Sequence, residues 1–245
     1  ARYQTPAPGN KKLNLFFHFV AIAIISYLLG SIPWGLVISK KFFGFDIRTK
    51  GSGNMGSTNV MRVLGVKWGL IVQVLDILKG VAAVYIASIL GSGLTFPNAT
   101  NFQDITIIKF GAGFVAVLGH IFTVFAGFRG GKGINTALGM LIAIAPIELA
   151  IAIGVFMLVL FLSGYVSLGS IIAGITVPSA LFVRYNFYGI HIPGYHFLIY
   201  AFILLSLVVI YTHRTNIKRL IEGRENQFAK LQLIKIKLFQ PKNKV

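Results

Sequence analysis

The stretch Trp68–Leu90, WGLIVQVLDILKGVAAVYIASIL, decides the fold class of this chain. It is long enough to cross the hydrocarbon of a bilayer, which takes about 20 predominantly apolar residues. Its two charges, Asp76 and Lys79, stand at i,i+3 spacing and so share one helical face. Either charge alone is costly inside a membrane, which calls for mutual or interhelical pairing. Two readings of the pair stand together: an ion pair that fixes the fold, which is favoured, or a direct contact with a substrate.

The rest of the chain repeats this apolar pattern. Of 245 residues, 56% are hydrophobic and 12% charged, at a mean hydropathy of +0.78; a soluble protein carries about 25% charged residues. Further apolar runs cover about Leu15–Ser39, Ile105–Phe125, Val166–Val183 and Tyr195–Thr212. The segment Ile134–Leu162 is too long for one helix and too short for two full ones. Pro146 and Glu148 divide it into two short helices, with Glu148 expected in solvent at the outer turn. The expected fold is an all-α polytopic membrane protein with seven transmembrane helices and termini on opposite sides. Residues 1–12 form an N-terminal extension, 13–212 the transmembrane domain and 213–245 a basic amphipathic tail.

The net charge of +17 comes from 23 Lys and Arg against six acids. These cations cluster at the ends of apolar runs, and no basic–aromatic module stands outside the membrane. They therefore indicate orientation and anionic membrane lipid as a partner, with no nucleic acid. Lys40, Lys41, Arg48, Lys50, Arg62 and Lys67 follow the first span, Arg129 and Lys132 follow the third, and most of the remainder lie in the tail. The positive-inside rule then puts the N-terminus outside and the C-terminus in the cytoplasm. The chain has no cysteine, which excludes disulfides and thiolate chemistry. Leu15–Ile38 is too long for a signal-peptide core and reads as a true span.

Two glycine-rich basic loops share the cytoplasmic side: GSGNMGSTN at Gly51–Asn59 and FRGGKG at Phe128–Gly133. Glycines let backbone amides crowd around an anion, and Arg48, Lys50, Arg129 and Lys132 supply charge. The first loop reads either as a flexible connector or as an anion nest, and its many amides and hydroxyls make the nest the better account. The second gains weight because a helix opens at Ile134, and helix N-termini attract anions. His120, near the cytoplasmic end of the third span, reads as a hydrogen-bonded structural group ahead of a catalytic base. His18, His191 and His196 fall on the outer side. There is no HExxH, Cys cluster, paired-acid site or Ser–His–Asp arrangement, so no metal is expected. Ile217, Leu220 and Ile221 recur at helical spacing in the tail, which predicts a surface amphipathic helix.

Six motifs then occur in order: GSIPWG (Gly30–Gly35), DIRTKGSGNMGSTN (Asp46–Asn59), LDILKG (Leu75–Gly80), GHIFTVFAGFRGGKG (Gly119–Gly133), YVSLGSI (Tyr165–Ile171) and HRTNIKRLIEGRE (His213–Glu225). Together they resemble the PlsY family of bacterial acyl-phosphate:glycerol-3-phosphate acyltransferases. The resemblance implies a seven-helix enzyme of the bacterial plasma membrane, multi-pass, with its active site facing the cytoplasm. It implies transfer of a fatty acyl group from acyl phosphate to position 1 of glycerol 3-phosphate, giving lysophosphatidate and phosphate without cofactor or metal. Carried over by motif, the catalytic residues are Arg48, Ser52, Lys132, Ser167, His213 and Asn216. Gly53, Asn54, Gly56, Thr58, Asn59, Arg129, Gly130, Gly131, Gly133 and Glu225 would bind substrate or phosphate, so residues 213–225 join the active site. The chain departs from the family at Thr123, Arg129, Asn135, Gly164 and Thr215. The extension before Lys12, the outer loop Gly91–Asp104 and the Lys-rich end after Gln227 are given no catalytic function. The oligomeric state stays open, with a monomer favoured. A membrane transporter of organic phosphates is the alternative, and a non-catalytic lipid-binding scaffold a third reading; no internal repeat supports a transporter.

Overall fold

The structure is a computed structural model and describes residues 8–95 and 104–228. The expectations for the chain before residue 8, the outer loop at 96–103 and the Lys-rich end from 229 lie outside the described residues. The regular elements described are ten α-helices: α1 (Pro8–Ser31), α2 (Trp34–Phe43), α3 (Ser57–Leu64), α4 (Val66–Leu90), α5 (Asp104–Ile121), α6 (Ile134–Ile144), α7 (Pro146–Ser163), α8 (Val166–Asn186), α9 (Tyr195–Thr212) and α10 (Arg214–Ile221). Short 3-10 turns at Ile47–Thr49 and Val124–Ala126 join them.

Among the described residues, five helices are long and apolar enough to cross a membrane: α4, α5 with its following turn, α7, α8 and α9. The pair α1 and α2, bent by 41°, makes a sixth. Helix α6 is apolar but has only 11 residues, about 17 Å of helix against a hydrocarbon core of roughly 30 Å. The protein is thus a multi-pass helical membrane protein. Where one continuous first span was expected, the helix breaks at Ile32–Pro33. Proline lacks an N–H and pushes its predecessor out of helical conformation, which accounts for the break.

The surface is inverted relative to a soluble protein. Helix α4 exposes Leu70, Val74, Leu78, Tyr85 and Ile89 and buries Asp76 and Lys79. The chain forms two compact units, Ala1–Ile144 and Ala145–Val245, which divide where the sequence predicts a break before Pro146.

In the first unit, α1 packs on α4 and α5, and α4 packs on α6. Lipid tails are as apolar as leucine, so membrane helices associate through close packing rather than hydrophobic drive. Glycines supply it here. A Cβ on Gly30 would strike the Ala116 carbonyl, and one on Gly119 the Tyr27 carbonyl, at the α1–α5 crossing. Gly80 and Gly139 do the same for α4 and α6, against the carbonyls of Thr136 and Ile77.

In the second unit, α7 packs on α8 and α8 on α9, with α10 turned against the latter two. Ser206 Oγ donates to the Gly174 carbonyl at 2.6 Å and ties α9 to α8. Glu148, expected in solvent, is instead 3% exposed and paired with Arg184. The antiparallel hairpin explains the correction, since it lays the first turn of α7 beside the last turn of α8. Nearby, the rings of Tyr185 and Tyr195 stack at 3.7 Å, and Asn186 donates to the Tyr195 hydroxyl at 2.6 Å.

Candidate functional site

The first glycine loop is shaped by two side chains. Asp46 caps the 3-10 turn by accepting the Arg48 N–H at 2.9 Å. The same carboxylate takes Arg48 Nε at 3.0 Å and Nη2 at 2.7 Å, a two-pronged clamp. The guanidinium's hydrogen bonds hold the Asp46 carboxyl below the usual carboxylate range, and Asp46 in turn raises Arg48. Asn59, only 2% exposed, works from inside the loop. Its Nδ2 serves the carbonyls of Asn54 at 2.7 Å, Lys50 at 3.0 Å and Ile47 at 3.3 Å, while its Oδ1 accepts the Ser52 N–H at 2.8 Å. Gly51 and Gly53 turn at φ of +61° and +75°, which glycine adopts without penalty. Asn54 Oδ1 accepts the Gly56 N–H at 2.8 Å, after which the chain enters α3 with Thr58 in its first turn.

The second loop folds back on the end of α5. Phe128 turns at φ +58°, uncommon for a residue with a side chain, and its N–H donates to the Thr123 carbonyl at 2.8 Å. The N–H groups of Gly130 and Gly131 then donate to the carbonyls of Ile121 and His120 at 3.0 and 3.1 Å, acceptors that the helix end leaves open. A Cβ on Gly130 would collide with the His120 carbonyl, and one on Gly131 with His120 Nε2. These two glycines therefore permit close packing, and their amides bond to protein. Arg129 is exposed, Lys132 half-buried, and Gly133 turns at φ +82° into α6.

The two loops are joined. Arg48 Nη1 donates to the Ala126 carbonyl at 3.0 Å, and Asn135 Nδ2 donates to Ser57 Oγ at 2.9 Å. The structure thus brings Arg48, Ser52 and Asn54 onto the same scaffold as Arg129 and Lys132. Beneath them lies a buried polar cluster. Lys79 Nζ donates to the Ile32 carbonyl at 2.9 Å, lies 2.8 Å from His120 Nδ1 and pairs with Asp76 at 2.9 Å. Thr123 Oγ1 donates to the Ser31 carbonyl. The carbonyls released by the Pro33 break are thereby satisfied, as buried backbone must be.

The second unit holds the other expected residues. Glu225 accepts Ser167 Oγ at 3.0 Å and Asn216 Nδ2 at 2.6 Å on one oxygen, and Arg219 Nε at 2.7 Å on the other. Its neighbourhood is pinned by Gln227 donating to the Ser163 carbonyl at 2.9 Å and by the Phe228 N–H donating to the Gly164 carbonyl at 2.8 Å. His213 is 2% exposed at the α9–α10 junction. Its Nδ1 lies 2.8 Å from the Val209 carbonyl; a carbonyl only accepts, so Nδ1 carries the proton. The sequence did not single out Asp46 or Arg219, and gave Asn135 only as a departure from the family, yet they bond Arg48, Glu225 and Ser57 respectively. Only Asp46 left a local signal, an acid two residues before Arg48 at the start of a turn.

A family model, "Glycerol-3-phosphate acyltransferase", matches residues 20–223. The chain belongs to the glycerol-3-phosphate acyltransferase family. It is 44% identical to the glycerol-3-phosphate acyltransferase of Chlorobaculum tepidum over 86% of this chain and 97% of that one. Against the namesake protein of Chlorobium phaeobacteroides strain DSM 266 the identity is 46%, over 85% and 95%. Among solved structures, PlsY (YgiH), an integral membrane glycerol 3-phosphate acyltransferase, superposes in its glycerol 3-phosphate form with TM-score 0.73 and 38% identity, covering 87% of this chain and 96% of that one. Its lysophosphatidic acid form gives 0.71 and 37%, over 87% and 97%. The six sequence motifs are thus those of a glycerol-3-phosphate acyltransferase.

Proposed function

We propose that this protein transfers a fatty acyl group from acyl phosphate to the 1-position of glycerol 3-phosphate in phospholipid synthesis, at the cytoplasmic face of a bacterial plasma membrane. The observation that carries the reading is that Arg48 ties together the turns leading into two basic glycine loops, which suits a reaction between two phosphate-bearing molecules. The clustering of Lys and Arg in the segments around the two glycine loops and in the tail supports a cytoplasmic position for the loops by the positive-inside rule.

In the step proposed, the 1-hydroxyl oxygen attacks the acyl carbonyl carbon, the new C–O bond forms and the carbonyl-to-phosphate oxygen bond breaks. The hydroxyl proton passes to an oxygen of the departing phosphate, so no protein general base takes part. The protein's work is to hold both phosphates and to stabilise the charge that develops on the carbonyl and leaving oxygens. Within the first unit Arg48, Ser52, Arg129 and Lys132 supply cations and donors; within the second Ser167, His213 and Asn216 supply donors of their own. Asn59 and Glu225 act by shaping these groups, as their hydrogen bonds suggest.

The test is to incubate the purified protein with acyl phosphate and glycerol 3-phosphate and score lysophosphatidate. Its formation from acyl phosphate, and not from acyl-CoA, is expected. Organic phosphate flux into liposomes without that product would replace this reading with a transporter.

A further inference from the structure

An ion pair between Asp76 and Lys79 would be complete within α4, yet Lys79 reaches further. Its ammonium bonds the Ile32 carbonyl in the α1–α2 break and lies 2.8 Å from His120 Nδ1 at the end of α5. The opposite edge of that imidazole, Nε2, is packed directly against Gly131, leaving no room for a Cβ. The His120 carbonyl also accepts the Gly131 N–H at 3.1 Å. Residue 120 therefore grips the second glycine loop by main chain and ring together, and the ring is held in place by Lys79. Because an imidazole is rigid and planar, a shift of the ammonium becomes a shift of Gly131, next to Lys132.

We infer that Lys79 and His120 are positioning residues that set the second glycine loop for a substrate phosphate, the inference resting on the function proposed above. They touch no substrate and act through Gly131. Misplacing a substrate-holding group by about 1 Å costs on the order of 100-fold in rate or binding, so the loop needs such a support.

The test uses full-length Lys79→Met, His120→Leu and His120→Asn at matched folded yield. An asparagine carbonyl reproduces the Nδ1 acceptor, whereas leucine does not. Lys79→Met and His120→Leu are expected to raise the KM for at least one of the two phosphate-bearing substrates about tenfold or more, with kcat within about threefold. His120→Asn is expected to stay within about threefold of wild type in all constants. Both disruptive variants are also expected to speed trypsin cleavage after Arg129 and Lys132. The inference is overturned if kcat falls while both KM values hold, if His120→Asn is as impaired as His120→Leu, or if folded variants resist trypsin as wild type does. Should Lys79→Met not fold, the His120 pair decides alone. A wild-type protein that makes no lysophosphatidate sinks the proposed function, and the trypsin result still judges the positioning claim.

Discussion

Arg48 donates from Nη1 to the Ala126 carbonyl at 3.0 Å while Nε and Nη2 hold Asp46, so one guanidinium ties together the turns that lead into the two glycine loops. Lysine lacks the planar fork that this geometry uses. Arg48→Ala and Arg48→Lys are both expected to lower kcat/KM by about 100-fold or more, measured by steady-state lysophosphatidate formation. Near-normal kinetics in Arg48→Ala would remove that residue from the site.

Asp46 sets the pH behaviour of this anchor. Its folded pKa is lowered by the Arg48 hydrogen bonds, so its stabilising contribution is present above the unfolded value of about 3.9 and is lost only as pH falls through the lower folded value. Asp46→Asn is expected to depress activity about tenfold. The pH–activity curve should keep its wild-type shape between about pH 5 and 9. A titration in that range that vanishes in Asp46→Asn would contradict the assignment.

Asn59 closes the first loop from within. Asn59→Ala leaves the carbonyls of Asn54, Lys50 and Ile47 and the Ser52 N–H without their partner. At about 1–3 kcal/mol for each buried group left unsatisfied, a loss above about 2 kcal/mol is expected, read as a lower thermal unfolding midpoint in detergent. An unchanged midpoint would mean that the loop shapes itself without Asn59.

The glycines of the second loop separate by sterics. Gly130→Ala and Gly131→Ala thrust a methyl into the His120 carbonyl and ring, whereas nothing lies within 4 Å of a Cβ on Gly111 in the helix before them. The first two are expected to lose most activity. Gly111→Ala is expected to retain it and to gain about 0.5–1 kcal/mol from helix propensity. Equal tolerance at all three positions would contradict the packed loop.

Glu225 gathers Ser167, Asn216 and Arg219. Glu225→Gln keeps an acceptor oxygen and loses the ion pair, so it should retain about tenfold more kcat/KM than Glu225→Ala. Identical losses in the two variants would point to charge alone as the function of this residue.

The helical membrane class and the break before Pro146 were legible because they depend on run length and on proline, both local properties. The pairing of Asp76 with Lys79 was legible for the same reason, lying within one helical turn. The Glu148–Arg184 pair was not, since its partners are 36 positions apart and meet only through the α7–α8 hairpin. The sequence offers the amides of Gly130 and Gly131, while their bonds to the carbonyls of Ile121 and His120 depend on the loop folding back on the end of α5. Asn135 departs from the family pattern in sequence, and only folding brings it to Ser57, 78 positions away.

The break at Ile32–Pro33 also bears on biogenesis. Its exposed carbonyls find side-chain donors at Lys79, 47 positions later, and at Thr123, 92 positions after Ser31. As the chain is synthesised from its N-terminus, the first bent helix is made before either donor. Its kink is completed only when the helices bearing those residues have followed it, which couples the maturation of the first span to the insertion of α4 and α5.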